Sequence, residues 1–337
     1  MNISRLRRGG IAIVGLATAS ALMLTGCSNT TGAGDGAEGG EKLRIGISQF
    51  VQAPPLDAAV EGFKQAFADA GYVEGTDIEF DVKNANAEVP TATTIAQTFA
   101  SDAPDLVLAV ATPSAQAAMQ NIADVPVVFT AVTDPVAADI VDSADAPGSN
   151  VTGTSDMNPV ADQIALIKEI APDAKKVGVV YSSGEVNSEV QVALARTATE
   201  KLGMELVEQT VTNANELKQA TEALGDVDAI YTPSDNLVIA GLGSVIAVAE
   251  ERGILVIGAD SEHVVGGAVA TLGIDYFKLG YQTGEMAIRI LKDGADTATM
   301  AVEAQTEFEL TVNPAAAERL GVKLPQGLVD RAANVIE

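Results

Sequence analysis

The sequence is poor in the residue types on which most enzyme active sites depend. Its 337 residues include one Cys, one His and no Trp, and aromatic residues make up only 4%. A single Cys excludes an intrachain disulfide and the usual Cys-based zinc sites, and a single His removes most His-dependent metal and acid–base chemistry. The sequence also lacks a Walker A loop, a G-x-S-x-G elbow and an HExxH motif. We therefore expect no catalytic activity, no cofactor and no bound metal.

Positive charge is also scarce. Lys and Arg number 20 against 46 Asp and Glu, which gives a formal net charge of -26. A surface this acidic repels the phosphates of nucleic acids. We therefore expect no nucleic-acid partner.

Residues 1–26 have the pattern of a secretory signal peptide. Three Arg residues precede an apolar run, Ile11–Leu24, which is too short for a comfortable membrane span. The next stretch, Leu24-Thr25-Gly26-Cys27, is similar to a bacterial lipobox, in which Cys27 would be lipidated with chains such as palmitate and become the mature N-terminus. A plain signal peptide with an incidental Cys is the alternative. Each buried acyl methylene contributes about 0.8 kcal/mol to membrane binding. The lipobox therefore predicts an extracytoplasmic protein that is stably anchored to the cell membrane by its lipid.

Residues 27–42 are polar and Gly-rich. Such a composition cannot bury a hydrophobic core. We predict a flexible tether between the lipid anchor and a folded body.

From Leu43 onwards, strand and helix patterns alternate. Continuous apolar runs such as Asp105–Val110 are typical of strands covered on both faces, and helical patterns of ten or more residues separate them. Two such series are separated near Pro147-Gly148-Ser149, and we expect Val151–Ser155 to open the second. The alternation predicts an α/β fold of two doubly wound parallel-sheet lobes.

The end of the chain holds a strand, a long helix and a final strand, which would make a poor domain alone. We expect this segment to cross back and complete both lobes. Lobe I would then comprise 43–152 plus 276–305, and lobe II 153–275 plus 306–330. The pattern over Val238–Arg252 predicts one helix, and we expect His263 on the surface or on a helix.

Polar residues follow the predicted strands, where open parallel sheets bind ligands. None of these stretches contains the Lys or Arg that a phosphate or sulfate normally requires. A small zwitterion fits better, because hydroxyls and a helix N-terminus can hold its carboxylate and an Asp can hold its ammonium. The candidate ligand-binding residues are Gln49, Thr112, Ser114, Thr130, Asp134, Asp156, Asn187, Ser188, Asp235, Asn236 and Asp260.

Within this set, we assign the carboxylate to Thr112, Ser114 and Thr130, and the ammonium to Asp156 or Asp235. Each site has an alternative interpretation. Thr112 begins a helix-start pattern, with Pro in the first turn, and Asp235 has the position of a helix cap.

Several motifs resemble those of one family. They include ATPSAQAA (111–118), PVVFTAVTDPVAA (126–138), GVVYSSGEVNS (178–188), DAIYTPSDN (228–236) and LGIDYFKLGYQTGEMA (272–287). From about Leu43 to Leu324 the chain resembles the ABC transporter substrate-binding lipoproteins related to the tryptophan/tyrosine-type binding component. The resemblance implies a type I periplasmic-binding-protein fold with a three-strand hinge, an α-amino-acid ligand that is often aromatic, and docking on membrane permease subunits for amino-acid import. The expected state is a monomer.

The sequence departs from the family's motifs at one place that bears on the identity of the ligand. Ser182-Ser183 stand where members of this family commonly have Asn-Pro. The nearest alternative is the same fold with another small ligand, such as a sugar, a nucleoside or a signalling molecule. An extracytoplasmic enzyme is the more distant alternative.

Overall fold

The computed structural model describes residues 42–336. The predicted signal peptide, Cys27 and residues 27–41 of the predicted tether lie outside the described residues. Among the helices in the described range, none combines the length and the apolar character needed to cross a bilayer.

The first lobe is built on a parallel sheet of six strands in the order β11-β5-β4-β3-β1-β2. All five residues of β3 (LVLAV) are buried, because this central strand is covered by helices on both faces. The strands are β1 Leu43–Gln49, β2 Ile78–Asn84, β3 Leu106–Val110, β4 Val127–Val132, β5 Val151–Ser155 and β11 Glu303–Ala304, and the helices are α1 Pro54–Asp69, α2 Val89–Asp102, α3 Thr112–Asn121 and α10 Tyr276–Asp293.

The second lobe is built on a sheet of seven strands in the order β13-β12-β10-β9-β8-β6-β7. Its strands are β6 Lys176–Ser182, β7 Glu205–Val211, β8 Ala229–Thr232, β9 Leu255–Gly258, β10 Ala270–Gly273, β12 Glu309–Val312 and β13 Asn334–Val335. Its helices are α4 Val160–Ile170, α5 Val186–Lys201, α6 Leu217–Ala223 after a 3-10 turn Ala214–Glu216, α7 Asn236–Ala240, α8 Leu242–Arg252, α9 Ser261–Val265, α11 Pro314–Arg319 and α12 Gln326–Asp330. The sheet is parallel except that β12 runs antiparallel to β10.

Helix α10 comes late in the chain but packs on α1 near its beginning. The two helices approach so closely that a Cβ atom on Gly280 would overlap the carbonyl oxygen of Ala59, and one on Gly62 would overlap that of Phe277. Glycine at these two positions allows the backbones to touch. The contact completes the core of the first lobe with a segment distant in sequence.

Three chain segments connect the lobes, and we call them the crossovers. The first lies between β5 and α4, the second between β10 and α10, and the third between β11 and β12. Hydrogen bonds tie them together: Asn158 Oδ1 on the first accepts from the Ile274 amide on the second at 3.3 Å. Gln305 on the third donates to the Asp275 carbonyl at 2.7 Å. The three crossovers thus form one hydrogen-bonded hinge.

The lobe boundaries differ from those drawn from the sequence at two places. Val151–Ser155 does not open the second lobe, because it pairs with β4 inside the first sheet. The turn at Pro147-Gly148-Ser149, with Gly148 at φ 85°, redirects the chain within lobe I, so the first crossover follows Ser155 rather than residue 152. At the other end, β13 pairs with β12 beyond residue 330.

The single helix predicted over Val238–Arg252 is instead two helices, α7 and α8. They are separated at Gly241, whose backbone leaves the helical conformation at φ -117° and ψ 17°. Side-chain crowding explains why a glycine stands there, since a Cβ atom would overlap Leu217 Cδ1. The break separates α7, whose residues face the cleft between the lobes, from the packing helix α8.

Candidate functional site

A polar cavity lies between the two lobes, at the carboxyl ends of their strands. Its free volume is about 20 Å³, which is room for about one water molecule. Its described lining includes neither Lys nor Arg, and comprises Pro55, Leu56, Ala131, Thr133, Asp156, Asn187, Ser234, Asp235, Asn236, Ile239, Asp260, His263 and Tyr276. Three carboxyl groups therefore surround a very small space.

Asp156 lies on the first crossover, where it is buried. Its Oδ1 accepts a hydrogen bond from the Thr133 hydroxyl at 2.8 Å, and its Oδ2 accepts one from the Tyr276 hydroxyl at 2.7 Å. Burial raises the pKa of Asp156, while these two hydrogen bonds act in the opposite direction. A buried carboxylate is stabilised by a cation, so the site favours a positively charged ligand group beside Asp156.

Asp260 begins helix α9 and also faces the cavity. Its Oδ1 accepts hydrogen bonds from the amides of Glu262 at 2.9 Å and His263 at 3.1 Å. Its Oδ2 lies 3.0 Å from Nδ1 of His263. His263 was expected on the surface or on a helix; it lies on α9 and is fully buried.

Asp235 combines a place in the cavity wall with a structural role. Its Oδ1 accepts from the Val238 amide at 2.8 Å and so caps α7. Its Oδ2 accepts from the Ser182 amide and the Ser188 hydroxyl, both at 2.6 Å. Asp235 accepts three hydrogen bonds from protein donors, two of them from backbone amides, whereas Asp156 accepts two, both from hydroxyls. Asp156 is therefore better placed than Asp235 to receive an ammonium group. Ser188 supports Asp235 from outside the cavity lining.

Glu185 was not among the sequence candidates. It is buried directly before α5, and its Oε2 accepts from the side-chain amides of Asn187 at 3.0 Å and Asn236 at 2.5 Å. Burial, and secondly the charge of Asp235, raise the pKa of Glu185 to about 8. The Glu185 carboxyl group fixes two Asn side chains of the cavity wall. In the sequence, Glu185 could not be distinguished from an ordinary acidic residue at a helix start.

Three lobe I candidates, Thr112, Ser114 and Thr130, lie at the carboxyl ends of β3 and β4 but outside the cavity lining. Ser114 Oγ accepts from Ser48 Oγ at 3.5 Å, and Thr130 Oγ1 accepts from Thr154 at 3.1 Å. Thr112 starts α3, and its buried Oγ1 has no hydrogen-bond partner in the described part of the chain. An unpaired hydroxyl at a helix N-terminus is well suited to an anionic ligand group.

Gln49 and Asp134 also lie outside the cavity lining, where they make local contacts. The Gln49 side-chain amide donates to Asp57 Oδ1 at 2.6 Å. Asp134 Oδ1 accepts from the amides of Val136 at 3.1 Å and Ala137 at 2.9 Å. Both side chains thus stabilise segments next to the cleft.

The backbone is strained where β3 and β4 end. Ala111 has φ 77° and Ala131 has φ 56°, values that non-glycine residues seldom adopt. The pairing of β4 with β5 shifts register between Phe129 and Val132. This irregularity brings Ala131 and Thr133 into the cavity wall, and such strain is often found at functional sites.

A larger cavity of about 270 Å³ lies beside the second crossover, with Glu262, Asp275 and Glu309 among its lining residues. Two of these acidic side chains already have a partner, because Lys278 Nζ lies 3.3 Å from Asp275 and 2.6 Å from Glu309. The smaller cavity between the lobes is therefore the better candidate site.

Two α/β lobes, a hinge of three crossovers and a polar cleft at the carboxyl ends of the strands define a bilobed solute-binding protein. Residues 44–336 match the family model described as ABC transporter substrate binding protein. The chain belongs to this family of substrate-binding proteins. As the substrate-binding component of an ABC transporter, it is extracytoplasmic.

Three similar proteins illustrate the family. A tyrosine-binding protein of Clostridioides difficile is 42% identical over 297 residues, which are 86% of each chain. The structure of an ABC domain in complex with L-Trp from Streptococcus pneumonia is 32% identical, with a TM-score of 0.84 over 88% of this chain and 100% of the other. The ligand-free, open structure of a substrate-binding protein with adhesive properties from Clostridium difficile is 42% identical, with a TM-score of 0.67 over 88% of this chain and 99% of the other.

Proposed function

We propose that this protein captures an aromatic α-amino acid between its lobes and delivers it to a membrane permease. The observation that carries the proposal is the environment of Asp156. This carboxyl group is buried at the hinge and faces the cavity, and its partners among residues 42–336 are two hydroxyl donors. An α-ammonium group would supply the cation that the described cavity wall lacks.

The carboxylate of the ligand is assigned to lobe I. The N-terminus of α3 offers free backbone amides, and Thr112 adds its unpaired hydroxyl, with Ser114 and Thr130 nearby on the same edge. Hydrogen bonds to charged groups contribute about 1.5–3 kcal/mol each. Three or four such contacts are enough for a micromolar complex at about -8.2 kcal/mol after ordering costs.

Lobe II would surround the rest of the ligand. Asn187, Asn236 and Asp260 line the cavity from that side, together with the apolar side chain of Ile239. Asp235 and Ser188 hold this wall in place through their own hydrogen bond. A ligand that contacts both lobes would stabilise the closed state, so ligand binding would drive closure.

Hinge closure is supported by the comparison of two relatives. The open, ligand-free relative is more similar in sequence, at 42% identity, but less similar in shape, with a TM-score of 0.67. The L-Trp complex has lower identity, 32%, and a TM-score of 0.84. Lobe arrangement accounts for this inversion, because a hinge motion changes overall shape without changing sequence. The cavity of about 20 Å³ is too small for an amino acid, so the lobes must separate further to admit one.

Two relatives support an aromatic ligand. One is a tyrosine-binding protein, and another was solved with L-Trp. Both share most of their length with this chain.

Isothermal titration calorimetry tests the proposal directly. Protein freed of bound solutes by unfolding and refolding is titrated with the twenty common L-amino acids, with a sugar and a nucleoside as controls. We expect micromolar or tighter binding of at least one aromatic amino acid. Binding of a sugar or nucleoside alone, or of no amino acid, would overturn the proposal.

We further propose that Cys27 carries the lipid anchor and that the protein acts as a monomer beside its permease. In the native host, labelled palmitate should enter the wild-type protein but not a Cys27→Ser variant, which should leave the membrane fraction. Labelling of both proteins, or of neither, would overturn the anchor. Light scattering of the purified body should give the mass of one chain.

A further inference from the structure

His263 is the single histidine of the chain, and the proposed chemistry at Asp156 does not use it. It is fully buried on α9 and lines the cavity between the lobes. Both of its ring nitrogens lack a hydrogen-bond partner of acceptable geometry within residues 42–336. Buried polar atoms nearly always have a partner, so this side chain has hydrogen-bonding capacity that the protein does not use.

The carboxyl group of Asp260 determines which ring nitrogen of His263 is a donor and which is an acceptor. Its Oδ2 lies 3.0 Å from Nδ1 of His263, and a carboxylate beside one ring nitrogen favours the proton on that nitrogen. The other nitrogen, Nε2, is then an acceptor. Asp260 is itself fixed, because its Oδ1 caps α9 through the amides of Glu262 and His263.

Asn187 is the other cavity-lining residue with a buried polar atom that lacks a partner, its Oδ1. Its amide group is already anchored, since Nδ2 donates to Glu185 at 3.0 Å and to the Ser234 carbonyl at 2.9 Å. The only wall side chain that approaches a ring nitrogen of His263 within the described residues is Asp260, at Nδ1. Nε2 of His263 therefore stays available to a ligand.

We propose that His263 determines ligand specificity, by accepting at Nε2 a hydrogen bond from a donor on the aromatic side chain of the bound amino acid. The assignment rests on the proposed function and narrows the ligand class. The ligand is an aromatic amino acid with a ring donor, namely a phenol O–H or an indole N–H. Phenylalanine, which lacks a donor, leaves the buried imidazole unpaired.

The size of the effect follows from that unpaired group. A site built to pair a ligand hydroxyl rejects the analogue without it, because its own buried polar atom then loses all partners. We expect the wild-type protein to bind L-tyrosine at least tenfold more tightly than L-phenylalanine. It should also prefer L-tryptophan to 1-methyl-L-tryptophan, in which the indole donor is blocked.

The experiment is calorimetric titration of the wild-type chain and two variants with these four compounds. His263→Phe keeps a planar ring but removes both nitrogens, so tyrosine should fall to the affinity of phenylalanine while phenylalanine binds no worse. Thr271→Val is the matched control. Its hydroxyl in lobe II is also buried without a partner but lies outside the cavity lining, so the preference should stay as in the wild type.

The outcomes separate the two proposals. Equal wild-type affinity for a donor-bearing compound and its blocked or donor-free analogue would overturn the role of His263 and leave the amino-acid function standing. A His263→Phe protein that keeps the wild-type preference would do the same. Binding of none of the four compounds by the wild type would overturn both. Should His263→Phe fail to fold, equal wild-type affinities for tyrosine and phenylalanine would still overturn the role of His263.

Discussion

The Tyr276 hydroxyl donates a 2.7 Å hydrogen bond to Oδ2 of Asp156, and the bond joins the first crossover to the start of the helix that follows the second. Asp156 follows β5 on the first crossover, and Tyr276 begins α10 directly after the second. The carboxyl group proposed to receive the ligand ammonium is therefore held by the hinge itself. On the proposed function, an ammonium group bound at Asp156 would therefore contact the hinge directly.

Asp156→Asn should weaken amino-acid binding at least tenfold, about 1.4 kcal/mol. The ammonium of the ligand would lose its carboxylate, while the amide can still form hydrogen bonds with Thr133 and Tyr276. The ligand-free variant should be no less stable than the wild type at neutral pH, because burial already disfavours the charged form of Asp156. Titration calorimetry and thermal unfolding measure the two effects.

Asp134→Asn is the matched control for that substitution. Its carboxylate accepts from backbone amides outside the cavity lining, so ligand affinity should change less than twofold. Equal losses in the two variants would point to a general effect of negative charge rather than to contact at Asp156.

Thr112→Val should lower ligand affinity about tenfold without lowering the stability of the free protein. The substitution removes a hydroxyl that has no partner in the described protein, so folding loses no hydrogen bond, whereas a bound carboxylate would lose one donor. Thr130→Val should instead cost stability, because Thr130 accepts from Thr154 inside the core. Unchanged affinity in Thr112→Val would remove Thr112 from the carboxylate site.

The free energy of unfolding should fall as pH rises from about 5 to 8. Glu185 has a pKa of about 8 in the folded protein against an ordinary value of 4.5, so between these values the folded state binds more protons than the unfolded state. The stabilisation is complete below the unfolded value and is lost as pH rises through the folded value. Glu185→Gln should flatten this part of the profile, as measured by urea unfolding at several pH values. A variant with the slope of the wild type would contradict the assignment to Glu185.

Gly280→Ala should destabilise the protein by several kcal/mol or prevent folding, because the new methyl group would overlap the Ala59 carbonyl where α1 meets α10. Gly243→Ala is the contrasting change in a helix. Gly243 is exposed on α8 with open space around it, so alanine should stabilise the protein by about 0.5–1 kcal/mol. Thermal unfolding of both variants checks the pair; similar midpoints would contradict the close approach of the helices.

Much of the fold could be predicted from the sequence, because buried parallel strands leave a strong pattern. The apolar run Asp105–Val110 predicted β3 within one residue of its bounds. The prediction that Val151–Ser155 begins lobe II was wrong, since strand pattern does not reveal which sheet a strand joins. The break at Gly241 was also missed, because it depends on contact with Leu217.

The candidate site was predictable only in part. Strand-end position indicated Asp156, Asn187, Asp235, Asn236 and Asp260, which the structure brings together around one cavity. It could not indicate that Asp235 is engaged by protein donors, or that Glu185 is buried behind Asn187. Burial and pairing arise from residues far apart in sequence, and they decide which polar side chains remain available to a ligand.

The late position of α10 also constrains the order in which the molecule can be assembled. A nascent chain that ends before Tyr276 contains most strands of both sheets but lacks the helix that covers α1, and it lacks β12, the partner of β10. Neither half can be finished until nearly the whole polypeptide has been synthesised. The two lobes have separate sheets, but they are made as a single folding unit.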